Sequence, residues 1–207
     1  LNTITYEMIT PTAIDIYSVK ADYEQGFEKG KLGAGVKSSH VTTGNDFQHY
    51  LLGPSGRGLD NDRSNHFLYR ESIHAAYLNY NRQWQYVQLQ AGVRAENTVM
   101  KGTSSGKNEA GGPAGSYDST IRQNYVDFFP SVAVNYSRSP DHQFSLTLSR
   151  RIDRPAYQDL NPFELKVDDY IIQKGNAYLR PQYTTGVGLG YVYKQKLNTT
   201  LNYSTVN

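Results

Sequence analysis

The stretch RRIDRPAYQDLNPFELKVDDYIIQKGNAYLRPQY (residues 150–183) decides how the rest of the sequence reads. Alternating runs flank it on both sides. Before it stands FSLTLS (residues 144–149), with Phe144, Leu146 and Leu148 on one parity and Ser145, Thr147 and Ser149 on the other. After it stands GVGLGYVY (residues 186–193), with Val187, Leu189, Tyr191 and Tyr193 opposed to Gly186, Gly188 and Gly190. Successive side chains of a strand point to opposite faces, so each run has one apolar face and one small or polar face. The stretch is therefore a long loop between two strands. Its tyrosines, prolines and clustered charges favour an ordered loop over a disordered one.

Working outward, the same alternation recurs along all 207 residues. Strands are expected over 13–23, 31–43, 66–80, from about 87, over 121–137, around 144–149, over 186–193 and over 197–204. Long polar connections are expected near 44–65, 98–120 and 152–182. Within the second, residues 104–115 are rich in Gly and Ser and should be the most mobile part. Short turns fall near residues 27, 82, 140 and 195, about 55–58 residues apart, with no sequence similarity between the intervals. Short and long connections thus alternate, which places every short turn at one end of an antiparallel sheet and every long loop at the other. That is the layout of an outer-membrane barrel.

A β-sandwich also alternates, but two details disfavour it. Phe128 and Phe129 bracket one end of an apolar stretch and Tyr136 the other, close to the ~9–11 residues of a tilted membrane strand. The strands are also longer than the usual ~5–6 residues. The expected fold is all-β: an antiparallel transmembrane barrel segment of about eight long strands in up-and-down hairpins, spanning 1–207 as a single unit and forming part of a larger barrel. Val132, Val134, Phe144, Leu146, Leu148, Val187 and Leu189 are expected to face lipid. Ser131, Ala133, Ser145, Thr147 and Gly188 should face the lumen.

Composition agrees. Eighteen tyrosines accompany one tryptophan and two methionines, and tyrosine suits both strands and the membrane–water boundary. Mean hydropathy is −0.64, yet transmembrane strands show only alternate apolar residues, so hydropathy does not exclude membrane insertion. The net charge of +2 gives no field for nucleic acid, and with no cysteine there is no disulfide or thiolate chemistry. The opening LNTITYEMITPT has no basic stretch followed by an apolar run, and LNYSTVN at the end lies within a strand pattern. The expectation is a piece of a longer protein without a signal peptide.

Catalytic and cofactor motifs are not found. His40, His49, His66, His74 and His142 lack metal-ligand spacing. Glu164, Asp168, Asp169 and Asp153 do not form a calcium loop. The glycine-rich segment 102–115 lacks the Lys-Ser/Thr ending of a phosphate loop, and no nucleophile elbow occurs. The expectation is a protein that is not an enzyme and carries no cofactor. The candidate ligand or loop residues are Arg150, Arg151, Asp153, Arg154, Tyr157, Asp159 and Asn161. Arginines bind carboxylates and phosphates through paired hydrogen bonds. Internal ion pairing that folds the loop over the barrel rim is the simpler reading of the same cluster.

Three pieces carry a family resemblance: Phe129-Pro130-Ser131; the run from Ser149 through Arg154-Pro155 to Asn161-Pro162-Phe163; and Gly175-Asn176 through Leu179-Arg180-Pro181-Gln182-Tyr183. Residues 91–98, AGVRAENT, fit the same pattern. From about residue 72 onward the sequence resembles the outer-membrane β-barrel family of TonB-dependent receptors of Bacteroidota-type bacteria. The resemblance implies a bacterial outer-membrane location and a barrel of about 22 strands around an N-terminal plug absent from this sequence. It further implies a TonB-type energising protein, and uptake of a scarce small-molecule or glycan ligand such as a siderophore or an oligosaccharide. The rival reading is a closed eight-stranded barrel acting as an enzyme or a structural anchor.

Overall fold

The computed structural model describes residues 5–54, 56–108, 115–166 and 170–207. Eleven strands are formed: β1 (Thr5–Ile9), β2 (Thr12–Phe27), β3 (Gly30–Gly53), β4 (Gly56–Gln83), β5 (Val87–Asn108), β6 (Gly115–Ser139), β7 (His142–Asp153), β8 (Glu164–Lys166), β9 (Ile172–Lys174), β10 (Gln182–Tyr193) and β11 (Leu197–Val206). One 3-10 turn, Tyr157–Leu160, follows β7. Nine strands make a single antiparallel sheet in the order β1-β3-β4-β5-β6-β7-β10-β11, with β2 also on β3. The strands β8 and β9 pair only with each other.

β1 and β2 are two pieces of one edge. β2 pairs β3 from Phe27↔Gly30 to Thr12↔Asn45, and β1 continues from Ile9↔Gln48 to Thr5↔Leu52. Pro11 lies at the break; it has no N–H to give to a ladder, but its carbonyl accepts from Asp46 N at 3.0 Å. At the other edge stands β11. Among the described residues β2 and β11 do not pair, so the sheet is open. The closed eight-stranded alternative is not the arrangement of this chain.

The short turns fall where the alternation puts them. At the first, Lys29 takes φ 66, and a Cβ on Gly30 would lie 2.6 Å from the Asn81 carbonyl and against the Phe27 ring. Glycine is the residue that fits there.

Two expected loops are strands instead. Residues 44–65 continue β3 and β4, whose pairing runs to Gly53↔Gly56 with a bulge between Phe47 and His49. Most of 98–120 continues β5 and β6, from Thr98↔Tyr125 to Asn108↔Gly115. Both segments are mostly polar, and their few apolar residues, such as Phe47, Leu51 and Leu52, do not alternate, but the ladder is made by backbone groups and needs no apolar face. Within the segment expected to be mobile, Ser104 is fully buried, and residues 109–114 lie outside the described residues. Between Asp153 and Gln182 the described residues form the 3-10 turn, β8 and β9, joined by irregular backbone.

The register sorts side chains into two faces. Val132 opposes Leu148, Val134 opposes Leu146, Leu148 opposes Val187, and Leu146 opposes Leu189. Ser131 opposes Ser149, Ala133 opposes Thr147, and Thr147 opposes Gly188. The apolar face stays uncovered: Phe128 is 57% exposed, Phe144 48% and Leu189 50%. The small core lies on the polar face, where Phe67, Tyr69, Met100 and Leu160 are buried together with Tyr157 beside them.

Candidate functional site

The polar face carries two features. The first is the segment between β7 and β10, which folds onto it. Arg154 reaches back across the sheet. Its Nη2 donates to Glu96 Oε2 at 2.6 Å and to Thr98 Oγ1 at 3.1 Å, and Nε lies 3.7 Å from Glu71. Glu71 on β4 and Met100 on β5 are ladder partners, so this anchor sits directly beside the small core. The 3-10 turn that follows puts Leu160, 2% exposed, onto Phe67, Tyr69 and Met100.

Asn161 closes a polar ring. Its Nδ2 donates to Asn65 Oδ1 at 3.1 Å, Asn65 Nδ2 donates to Ser104 Oγ at 2.9 Å, and Ser104 Oγ donates to Asn161 Oδ1 at 3.2 Å. Buried polar groups require partners, and here three side chains satisfy one another. The returning chain is clamped by backbone bonds from Gly175 N to Asn161 O (3.0 Å) and from Asn176 N to Asp159 O (2.7 Å).

The second feature is an open depression of about 630 Å³ nearer the short turns. Lys20, Lys37, Arg94 and Arg151 line it from four different strands, with Tyr77 and Phe129 among them. Lys20 pairs with Asp22 at 2.7 Å, and Asp22 also accepts from the Tyr77 hydroxyl. The Arg94 guanidinium lies 5.6 Å from the Tyr77 ring centre. Among the described residues, Lys37 and Arg151 show no hydrogen bond or ion pair, and both are exposed. The glycines Gly33, Gly35 and Gly92 keep the neighbouring floor low.

The residues singled out from sequence therefore separate. Arg154, Tyr157 and Asn161 hold the folded segment in place. Arg151 faces the depression. Arg150 also borders the depression and fills a gap between strands. Pairing of β6 with β7 stops at Ser131↔Ser149, beside Pro130, which has no N–H to extend it. Arg150 Nη1 donates to the Phe128 carbonyl at 2.7 Å, and the guanidinium lies 4.5 Å from the Tyr183 ring centre and 3.8 Å from Asp127. Asp153 is an exposed ladder partner of Gln182 at the end of β7. Asp159 contributes its backbone carbonyl. Sequence reasoning left out Glu71, Asn65 and Ser104 as anchors, and Lys20 and Lys37 as lining. The motif around Arg94 and Glu96 was visible, but its partner was not.

The sequence matches the outer membrane protein beta-barrel family over residues 1–207. No curated protein matches it. In solved structures the fold resembles the ferric yersiniabactin uptake receptor of Yersinia pestis, with TM-score 0.64 and 12% identity, over 100% of this chain and 30% of that one. It also resembles the ferric-catecholate import receptor Fiu of E. coli K12, with TM-score 0.61 and 13% identity over 94% and 32% of the two chains. The ferric citrate transporter FecA gives TM-score 0.59 and 13% identity over 98% and 28%. The chain thus spans about a third of the length of these receptors. An open antiparallel sheet that matches this family over its whole length and overlays on a sector of receptor barrels identifies the chain as a member of the outer membrane protein beta-barrel family, located in the bacterial outer membrane.

Proposed function

We propose that the chain is a sector of the barrel of a TonB-dependent receptor, of the kind its motifs resemble in Bacteroidota, and that the receptor imports a scarce nutrient. In this reading the apolar face carrying Val132, Val134, Phe144, Leu146, Leu148, Val187 and Leu189 meets lipid. The polar face lines the lumen, a plug domain occupies it, and a TonB-type protein energises transport. The protein is not an enzyme. The observation that carries the reading is the set of basic side chains Lys20, Lys37, Arg94 and Arg151 around one depression on the polar face. Such a set suits a small anionic ligand and favours the siderophore class over neutral oligosaccharides.

The test is a titration of the complete receptor with ferric citrate, a ferric catecholate and a neutral oligosaccharide. A charge-assisted contact is worth roughly tenfold in affinity. Lys37→Gln with Arg151→Gln should weaken the anionic ligand accordingly and leave the neutral one unchanged. Unaltered binding of the anionic chelates, or a preference for the neutral sugar, would overturn the reading.

A further inference from the structure

Beyond the apolar band, the other face of the sheet carries a row of three cations. Arg70 on β4 opposes Lys101 on β5, and Lys101 opposes Arg122 on β6. Adjacent strands lie ~4.8 Å apart, so the three positions span about 10 Å. All three share the parity of Leu78, Val93 and Phe128, the apolar face. Arg70 and Arg122 are exposed and Lys101 half-buried. Like charges directly opposite one another destabilise a sheet. Among the described residues none of the three has an ion pair or hydrogen bond. The row's nearest acid on this face is Asp15, one strand beyond Arg70's other neighbour Thr42.

Height decides what can meet this row. Tyr80 and Arg70 lie on one strand and one face, ten residues apart. At ~3.4 Å per residue and a tilt of ~40°, that separation is about 26 Å along the membrane normal. The apolar band of an outer-membrane barrel is ~25 Å tall. With Tyr80 at the turn-side boundary, Arg70 emerges at the opposite boundary, where lipid headgroups begin. We infer that Arg70, Lys101 and Arg122 bind the phosphate groups of an outer-leaflet lipid headgroup. A phosphate supplies the acceptors the two guanidinium forks match and the charge that cancels their mutual repulsion. This rests on the lipid-facing reading of the apolar face and goes beyond the transport function.

The complete receptor would be placed in phosphatidylcholine nanodiscs doped with diphosphoryl lipid A or with its dephosphorylated form. Lipid retained on the protein would be counted by native mass spectrometry. The wild type should enrich the diphosphoryl form. The combined Arg70→Gln, Lys101→Gln and Arg122→Gln variant should lose enrichment on the order of a hundredfold. Arg151→Gln, on the other face, should not. Where the triple variant fails to fold, Arg70→Gln and Arg122→Gln singly carry the test, each losing about fivefold. Equal retention of both lipids, unchanged retention by the variants, or competition by inorganic phosphate as strong as by lipid would overturn the site. A fluorescent label at Val126→Cys, read with a lipid-borne quencher, tests the facing alone. A silent label sinks the facing; a quenched label with unselective lipid retention sinks only the phosphate row.

Discussion

Arg154 Nη2 lies 2.6 Å from Glu96 Oε2, and the two residues stand 58 positions apart in the sequence. The bond joins the segment after β7 to the middle of β5, two strands away across the sheet. Glu71 lies on the other side of the same guanidinium. Removing the cation leaves two carboxylates facing each other in a half-buried site, which costs about 3 kcal/mol. Arg154→Ala should therefore release residues 156–166 and 170–181 from the polar face, seen as a rise in their amide exchange. Adding Glu71→Gln and Glu96→Gln should restore protection at neutral pH. Exchange that stays at wild-type level in Arg154→Ala would show that the ion pairs do not hold the segment.

Gly175 makes the second clamp. A Cβ there would lie 2.6 Å from the Asp159 carbonyl oxygen and collide with that of Asn161. Both are backbone atoms that also receive the clamping hydrogen bonds, so neither can move aside freely. Gly175→Ala should cost about 1–3 kcal/mol locally and open residues 156–166 and 170–181 to protease. Gly186→Ala is the control, because its Cβ would meet nothing closer than the Tyr203 carbonyl at 3.9 Å. Equal protease sensitivity in the two variants would count against the clamp.

His49 gives a pH dependence. Its side chain is 1% exposed, stacked at 5.4 Å on Tyr6 of β1, with Asp60 at 3.7 Å. It lies beyond the apolar band, next to the β3 bulge. Burial pushes its pKa below the ordinary 6.5, against the pull of Asp60. The neutral ring is therefore the form the fold prefers. Its contribution is complete above 6.5 and is lost as pH falls through the lower folded value. Protection of the amides of residues 48–52, measured against their intrinsic exchange rates, should fall on acidification from neutral pH. His49→Phe keeps the stack on Tyr6 and should abolish that fall; a Phe variant with the same pH response would assign it elsewhere.

The parts of the fold legible in the sequence are those where one face is apolar. Val132, Val134, Leu146, Leu148, Val187 and Leu189 announce period two, and turn residues such as Ser139-Pro140-Asp141 mark where it stops. Beyond the band the apolar residues thin out and stop alternating. The continuation of β3, β4, β5 and β6 is then specified by backbone pairing between residues such as Thr103 and Thr120, which leaves no period to read. The site shows the same limit. The arginines at 150, 151 and 154 were conspicuous as a cluster, but their three different roles depend on partners far away in sequence: Phe128 and Asp127, the depression, and Glu96 with Glu71. Lys20 and Lys37 look like ordinary solvated lysines until β2 and β3 pair and place them opposite each other.

The facing of the sheet can be tested at one pair of neighbours. Leu146 lies between Val134 and Leu189 on the apolar face, and Thr147 lies between Ala133 and Gly188 on the polar face. A cation held in hydrocarbon near the midplane costs ~2–4 kcal/mol, whereas one in a wet lumen keeps most of its hydration. Leu146→Arg in the complete receptor should shift the urea unfolding equilibrium in lipid vesicles by that amount. Thr147→Arg should shift it by less than ~1 kcal/mol, because the small side chains of Gly188 and Ala133 leave it room to reach water. In detergent micelles, where the apolar layer adapts around a charge, the gap between the two variants should narrow. Equal costs in vesicles would mean that the apolar face does not meet lipid at this level. A larger cost for Thr147→Arg would mean that the two faces are assigned the wrong way round.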